Sequence, residues 1–305
     1  MSCLHPSLLV DYGVQSNGKH KVKFLSRIDD FQTVEEAKRK YEAHVSGCVD
    51  GPRLLFVPCG HCLECIKRRR KTWAIRCELE AKEYTENSFI TLTYDDEHYP
   101  GGIVKKDVQL FIKYLARETG WKQRYFLCGE YGNNGRGHYH LILFGFFPSD
   151  AKPECKTKSG TWSYSSKLIS RIWNKGFCMV EDFAPAAASY VAGYVEKKLG
   201  YRDCFVLMST RPGIGRKFVE SNLEHIYQYD RLISKNGSVF GVPRYFDKVA
   251  DQLGKDITKT KTHRLRCVDK LTHQQFRDYG VKTFDEFFNF KIEHISHKCK
   301  RRTCL

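Results

Sequence analysis

The chain has 305 residues, 41% hydrophobic and 13% aromatic, enough to bury a substantial core in one or two domains and too apolar for a disordered polymer. Its 51 Lys and Arg against 35 Asp and Glu give a formal charge of +16, which suits a polyanionic partner better than a small neutral substrate. The longest apolar run, around Leu141 to Phe147, is too short to span a bilayer, and the opening MSCLHPSLLVDYGVQ lacks a basic segment followed by a long apolar stretch, so neither a membrane role nor export is expected.

Thirteen cysteines without an export signal read as reduced thiols or metal ligands, not as a disulfide framework, and the expected compartment is a cytoplasm. In chain order, TVEEAKRKYEAH at residues 33–44 predicts a short helix opened by a capping box of Thr33 and Glu36, while the rest of the first fifty residues shows no clean period. VPCGHCLECIKRRRKTWAIRCELEAKEY, residues 57–84, runs a cysteine cluster into a helical pattern carried by Trp73, Ile75 and Leu79. FITLTY at 89–94 is β-branched and aromatic and predicts a strand. VKKDVQLFIKYLARETG predicts a helix on the spacing of Val108, Phe111, Ile112 and Leu115, stopped by Gly120. RYFLCGEY and HYHLILFGFF, separated by the turn GNNGRG, predict a hairpin. A helix in SSKLISRIWNKG, a strand in GFCMVEDF and a helix in APAAASYVAGYVEKKLG, with Pro185 in its first turn and Gly200 at its end, complete the order β-α-β-β-α-β-α. That order predicts an α+β fold of the ferredoxin-like, split βαβ kind, an antiparallel sheet with helices on one face.

Within GRGHYHLILFG, His138 and His140 stand two positions apart in a strand, so both project from one face with roots roughly 6 to 7 Å apart, while Tyr139 faces away. Glu130, across the turn on the partner strand, can share that face. Two imidazoles and a carboxylate from adjacent strands hold a divalent cation and leave positions open for substrate oxygens; alternating polar residues also line ordinary half-exposed sheets. On the last predicted helix, Tyr190 and Tyr194 share a face with Cβ atoms roughly 5 to 6 Å apart, and Lys197 and Lys198 extend that side. Such a pair either packs a core or supplies a phenol nucleophile for phosphoryl transfer beside a metal.

FITLTY, GRGHYHLILFG and YVAGYVEKK, in that order, resemble the three motifs of the HUH rolling-circle replication endonucleases, in the branch with two tyrosines on one helix. PCGHCLECIKRRRKTWAIR, STRPGIGRKF and VPRYFDK are in addition similar to segments of the replication initiators of small single-stranded-DNA bacteriophages, the gokushovirus group of the Microviridae, so the likeness covers about residues 55–248. The resemblance implies an HUH endonuclease core with added helical and cysteine-containing segments. It further implies that His138 and His140 with Glu130 hold Mg2+ or Mn2+, and that Tyr190 or Tyr194 attacks the scissile phosphate of single-stranded DNA at the viral replication origin. A 5'-phosphotyrosyl link and a 3'-hydroxyl primer result. The other tyrosine then cleaves the regenerated origin, and the stored ester closes the circle without ATP, in keeping with the lack of a Walker-type GxxxxGK sequence. Two-tyrosine relatives often carry a lysine directly before the second tyrosine; Gly193 stands there in this chain, which moves that role to Lys197 or Lys198. A host replication helicase and polymerase are the implied protein partners, and the cytoplasm of the bacterial host cell is the implied compartment.

Cys59, Cys62 and Cys65 form C-x-x-C-x-x-C, which wraps a structural Zn2+ if a fourth ligand joins them. The candidates for that place are His61, Cys48, Cys77 and the cysteines of the C-terminal HKCKRRTC; free thiols are the alternative. The adjoining run of Lys67, Arg68, Arg69, Arg70 and Lys71 is either a solvated helix face or a contact to the phosphate backbone, and Arg136, Arg211, Arg216 and Lys217 extend the expected path of DNA. Tyrosines and tryptophans among these cations can stack on unpaired bases. The expected division is 1–54 without an assigned role, 55–84 with the cysteine cluster and basic helix, 85–205 as the endonuclease core, and 206–305 as a basic extension. The competing function class is a non-catalytic single-stranded nucleic-acid-binding protein with a zinc-stabilised module.

Overall fold

The computed structural model describes residues 7–15, 20–27, 53–132, 134–157, 160–197 and 203–282, together with Cys3 and five positions between 286 and 293. The predicted helix at 33–44, Gly200 and Cys48 lie outside the described residues. The chain forms two compact units, residues 1–66 with 261–305 and residues 67–260.

The first unit contains β1 (Ser7–Val14), β2 (His20–Arg27) and β3 (Arg53–Val57), an antiparallel sheet in the order β2-β1-β3. No sequence pattern announced it, because residues 21–25 of β2 are all exposed and give no alternation between inside and outside. Helix α1 (Leu63–Ala81) follows.

The second unit is built on seven antiparallel strands. Its elements are β4 (Asn87–Tyr94), α2 (Lys105–Thr119), β5 (Arg124–Tyr131), β6 (Gly137–Phe144), β7 (Lys152–Lys156), β8 (Trp162–Ser165), α3 (Lys167–Trp173), β9 (Gly176–Asp182), α4 (Pro185–Lys197) and β10 (Phe205–Met208). They are followed by α5 (Arg216–Tyr229), β11 (Leu232–Ile233), β12 (Val239–Phe240), α6 (Arg244–Gln252) and α7 (Thr258–Asp278), the last running on into the first unit. The sheet order is β10-β5-β6-β4-β9-β8-β7. Its central four strands have the split βαβ arrangement, so the predicted α+β, ferredoxin-like core holds. The β7–β8 hairpin was not expected; all five residues of β7 are exposed and carry no strand period.

Both faces of this sheet are covered, not one as expected. On one face Ile90, Leu92, Leu141 and Val180 pack with Val108, Phe111 and Leu115 of α2 and with Ile169 and Trp173 of α3. On the other, Phe89, Phe126, Ile142 and Phe144 pack with Ala74, Cys77 and Ala81 of α1 and with Ala188 and Val191 of α4. The unbroken apolar run LILF in β6 follows from this, since a strand buried on both sides has no polar face to alternate. Burying each such Leu, Ile or Phe contributes roughly 1.5–3 kcal/mol, so Leu141 and Ile142 tie the strand to opposite layers. Helix α1 is itself wrapped, its Ile75 and Leu79 packing with Val219 of α5 and Phe246 and Val249 of α6.

Tyr139 shows how the sheet sets the helices. Pointing away from the histidines, its hydroxyl donates to the Val104 carbonyl at 2.8 Å and accepts from the Val104 amide at 2.8 Å, fixing the start of α2 where no side chain of the helix caps it. Gly120, in the left-handed region at φ 79°, ends the same helix as predicted.

Candidate active site

Strand pairing assembles the three expected metal ligands. Glu130 of β5 lies opposite His138 of β6, and across β4 His138 faces Thr93 while His140 faces Thr91. Paired residues share a face, so the alternation that buries Tyr139 and Leu141 beneath α2 turns both imidazoles toward α1 and α4. Glu130 Oε1 lies 3.0 Å from Nε2 of His138 and 3.0 Å from Nε2 of His140, and one ligand atom from each residue falls within 4.8 Å of the others. Glu130 and His140 are buried, and His138 is half-buried.

The second nitrogens decide what this cluster can hold. Nδ1 of His138 is 3.2 Å from the Arg136 carbonyl, which can only accept, so Nδ1 carries the hydrogen. In the neutral ring the Nε2 lone pair then points at a carboxylate oxygen, and two acceptors facing each other need a cation or a proton between them. His140 is held from its far side by Thr91 Oγ1, 3.1 Å from Nδ1, and by Phe89 stacked on its ring at 5.6 Å. Gly132 keeps the turn clear, since a Cβ there would stand 3.0 Å from Cε1 of His138.

Tyr190 of α4 lies beside this cluster. Its ring meets His140 edge to face at 5.1 Å between centroids and remains 45% exposed. Tyr94 and Tyr139, on the opposite face, differ: their hydroxyls are tied to Asp107 and Val104, and burial pushes Tyr139 up to about 12 and Tyr94 higher still. Tyr194 and Lys197 belong to α4 with side chains outside the described set, and Lys198 lies outside the described residues.

Helix α1 packs its basic run unevenly. Arg70 is half-buried, its Nε donating to the Ser189 carbonyl at 2.9 Å and its guanidinium covering Gly193, where a Cβ would come within 3.1 Å of Cζ. A glycine in place of the lysine of related initiators therefore leaves room for Arg70. Lys67, Arg68, Arg69 and Lys71 are exposed. Of the other cations expected to meet DNA, Arg211 and Lys217 are exposed, Arg136 bonds Asp96 and the Asp95 carbonyl at 2.6 Å each, and Arg216 pairs with Glu220 at 2.7 Å. Phe177 was not foreseen. It pairs with Thr93 from β9 as His138 does from β6, so Glu130, His138, Thr93 and Phe177 form one row across the sheet, and Phe177 is 71% exposed.

A second ligand group lies in the first unit, where Cys3 joins Cys59, Cys62 and Cys65 with ligand atoms within 4.8 Å of one another. Cys3 was not among the expected fourth ligands. Cys77 is instead packed in the sheet core, where burial pushes its thiol far above the ordinary range, and His61 is exposed and offers its backbone amide to Cys59 Sγ at 3.4 Å. Cys48, Cys299 and Cys304 lie outside the described residues.

Residues 87–199, which contain the whole of the histidine site, match the family model of the replication-associated protein ORF2. The chain is 30% identical over 273 residues to the replication-associated protein ORF2 of Spiroplasma virus 4, covering 81% of this chain and 84% of the relative. The chain belongs to the phage replication-associated proteins. This replication-associated protein is also 33% identical over 252 residues to the replication-associated protein VP4 of Bdellovibrio phage phiMH2K, covering 77% and 80% of the two chains. To the replication-associated protein ORF4 of Chlamydia phage 1 it is 30% identical over 233 residues, 70% and 58% of the two. No solved structure matches it. The resemblance of the motifs to phage replication initiators is thereby borne out, and the role of the protein lies in phage DNA replication. Among the described residues no helix is long and apolar enough to cross a membrane.

Proposed function

We propose that this replication-associated protein nicks single-stranded DNA at the phage origin through Tyr190 and rejoins the ends in rolling-circle replication, as a metal-dependent endonuclease and strand transferase of HUH type whose chemistry lies within residues 85–205. The contact of the Tyr190 ring with His140, one of three groups converging on a single point, carries this reading. Two imidazole nitrogens and a carboxylate oxygen suit Mn2+ and accept Mg2+. Bound by Glu130, His138 and His140, such a cation supplies Lewis-acid polarisation of the scissile phosphate.

The chain's own groups do the rest. Arg136 and Thr91 hold the two rings so that Nε2 of each faces the site. Tyr190 Oη forms a bond to phosphorus as the bond from phosphorus to the 3'-oxygen breaks; the phenol proton passes to water, and the leaving oxygen takes one up to become the free 3'-hydroxyl. Attack by a 3'-hydroxyl on the phosphotyrosyl ester reverses the exchange, so joining needs no ATP. We assign the second cleavage to Tyr194 and the cation that steadies the phosphate to Lys197 or Lys198. Lys67, Arg68, Arg69, Lys71, Arg211 and Lys217 follow the DNA backbone, with Arg70, Arg136 and Arg216 in supporting contact. Phe177, in the row of His138 and roughly 10 Å from it across two strand spacings, stacks on an unpaired base of the same strand. The reaction takes place in the host cytoplasm, alongside a host helicase and polymerase.

The test uses an origin-containing single-stranded oligonucleotide with Mg2+ or Mn2+. The expected product is a protein–DNA adduct that survives denaturing electrophoresis and is lost in Tyr190→Phe. An adduct kept in Tyr190→Phe and lost in Tyr194→Phe reverses the order of the two phenols. A mobility shift without any adduct in the wild type replaces the proposal with the non-catalytic binder.

A further inference from the structure

We propose that Cys3, Cys59, Cys62 and Cys65 bind one structural Zn2+, with Cys3 as the fourth ligand. This site is independent of the nicking chemistry. The pairing of β1 with β3 sets Ser7 opposite Val57, so the chain leaves both strands at the same end of the sheet, and Cys3 and Cys59 meet there. Gly60, at φ 80°, then reverses the chain, and the amides of His61 and Cys62 donate to Cys59 Sγ at 3.4 and 3.3 Å. The Cys59 amide donates in turn to Cys3 Sγ at 3.3 Å. Amides aimed at sulfur stabilise the thiolate, which is the form a metal binds. Cys65 enters from the first turn of α1.

Sulfur separations identify the ligand. Cys3 Sγ lies 3.6 Å from Cys59 Sγ and 3.8 Å from Cys62 Sγ, and all four thiols are free. Four sulfurs at about 2.3 Å from a tetrahedral zinc stand about 3.8 Å apart, whereas a disulfide closes the gap to about 2.05 Å. An iron–sulfur cluster spreads its thiolates over several metal atoms and needs a wider cage than ligand atoms within 4.8 Å of one another provide. Cys3 and Cys65 are buried, which shields a bound ion from water. The link from Cys3 to Cys59 closes a separation of 56 residues, so the metal removes much chain entropy from the unfolded state and holds β1 in its sheet.

Metal analysis of the full-length protein, purified under reducing conditions, is expected to return about one zinc per chain, released by a thiol-modifying reagent. Replacement by Co2+ should give the intense sulfur-to-metal absorption of a four-thiolate site. In Cys3→Ser that spectrum falls to the three-thiolate form, and zinc is lost to a competing chelator at least about tenfold more readily, while His61→Ala and Cys77→Ser keep the wild-type metal content. Absence of zinc, iron in its place, or an unchanged cobalt spectrum in Cys3→Ser overturns the proposal. If Cys3→Ser does not fold, the wild-type cobalt spectrum still decides, since three thiolates with a nitrogen or oxygen ligand would exclude Cys3.

Discussion

The two ligand groups of this protein are built in opposite ways. Glu130, His138 and His140 come from neighbouring strands of a sheet buried on both faces, and each imidazole is aimed by a contact to its far nitrogen. The four cysteines gather at a tight turn, the first turn of a helix and a residue far off in sequence, with backbone amides directed at the sulfurs. Three mixed ligands on a rigid sheet leave coordination positions for a substrate, beside a half-exposed phenol. Four thiolates leave none, which is the mark of a structural site. Ligand number and softness, read with the neighbouring side chains, thus separate a centre that does chemistry from one that holds a fold.

Substitutions can break that contrast or sharpen it. Glu130→Gln is expected to have the largest effect, lowering Mn2+-dependent adduct formation by at least about 100-fold, since a direct ligand should cost more than an outer hydrogen-bond partner. Its zinc content should not change, and a parallel loss of zinc would show that the two groups are not independent. Thr91→Val removes the oxygen that orients His140 and should raise the Mn2+ concentration for half-maximal activity about tenfold, with activity recovered at saturating metal; no change would mean the ring is held by Phe89 alone. Phe177→Ala is expected to weaken single-stranded DNA binding by about 1 kcal/mol, roughly fivefold in Kd, without altering metal dependence. Because the side chain is exposed, its thermal unfolding should shift by no more than about 0.5 kcal/mol in stability. Arg68→Ala gives the smallest change, a fall of about 0.7 in the slope of log affinity against log salt, read by titration at several salt concentrations.

Much of the catalytic neighbourhood was legible because it is local. His138 and His140 share a strand, Glu130 sits across one hairpin turn, and Tyr190 lies on a helix whose first turn is marked by Pro185; periods of 2 and 3.6 residues carry that information along a single stretch of backbone. The ferredoxin-like order was legible for the same reason. The sheet of β1, β2 and β3 was hidden by the exposed residues of β2, and the β7–β8 hairpin by a strand with no buried position.

By itself, then, the order of amino acids determined the central elements, the paired imidazoles and the basic charge that suits a nucleic acid. Only the tertiary structure decided that Cys3 completes the thiol group in place of Cys77, that Arg70 turns inward over Gly193 while its neighbours stay in solvent, and that Phe177 stands exposed in the row of His138. Each of these depends on which distant segment covers or meets a residue, and that is fixed by long-range strand pairing and burial, quantities with no period in the sequence to reveal them.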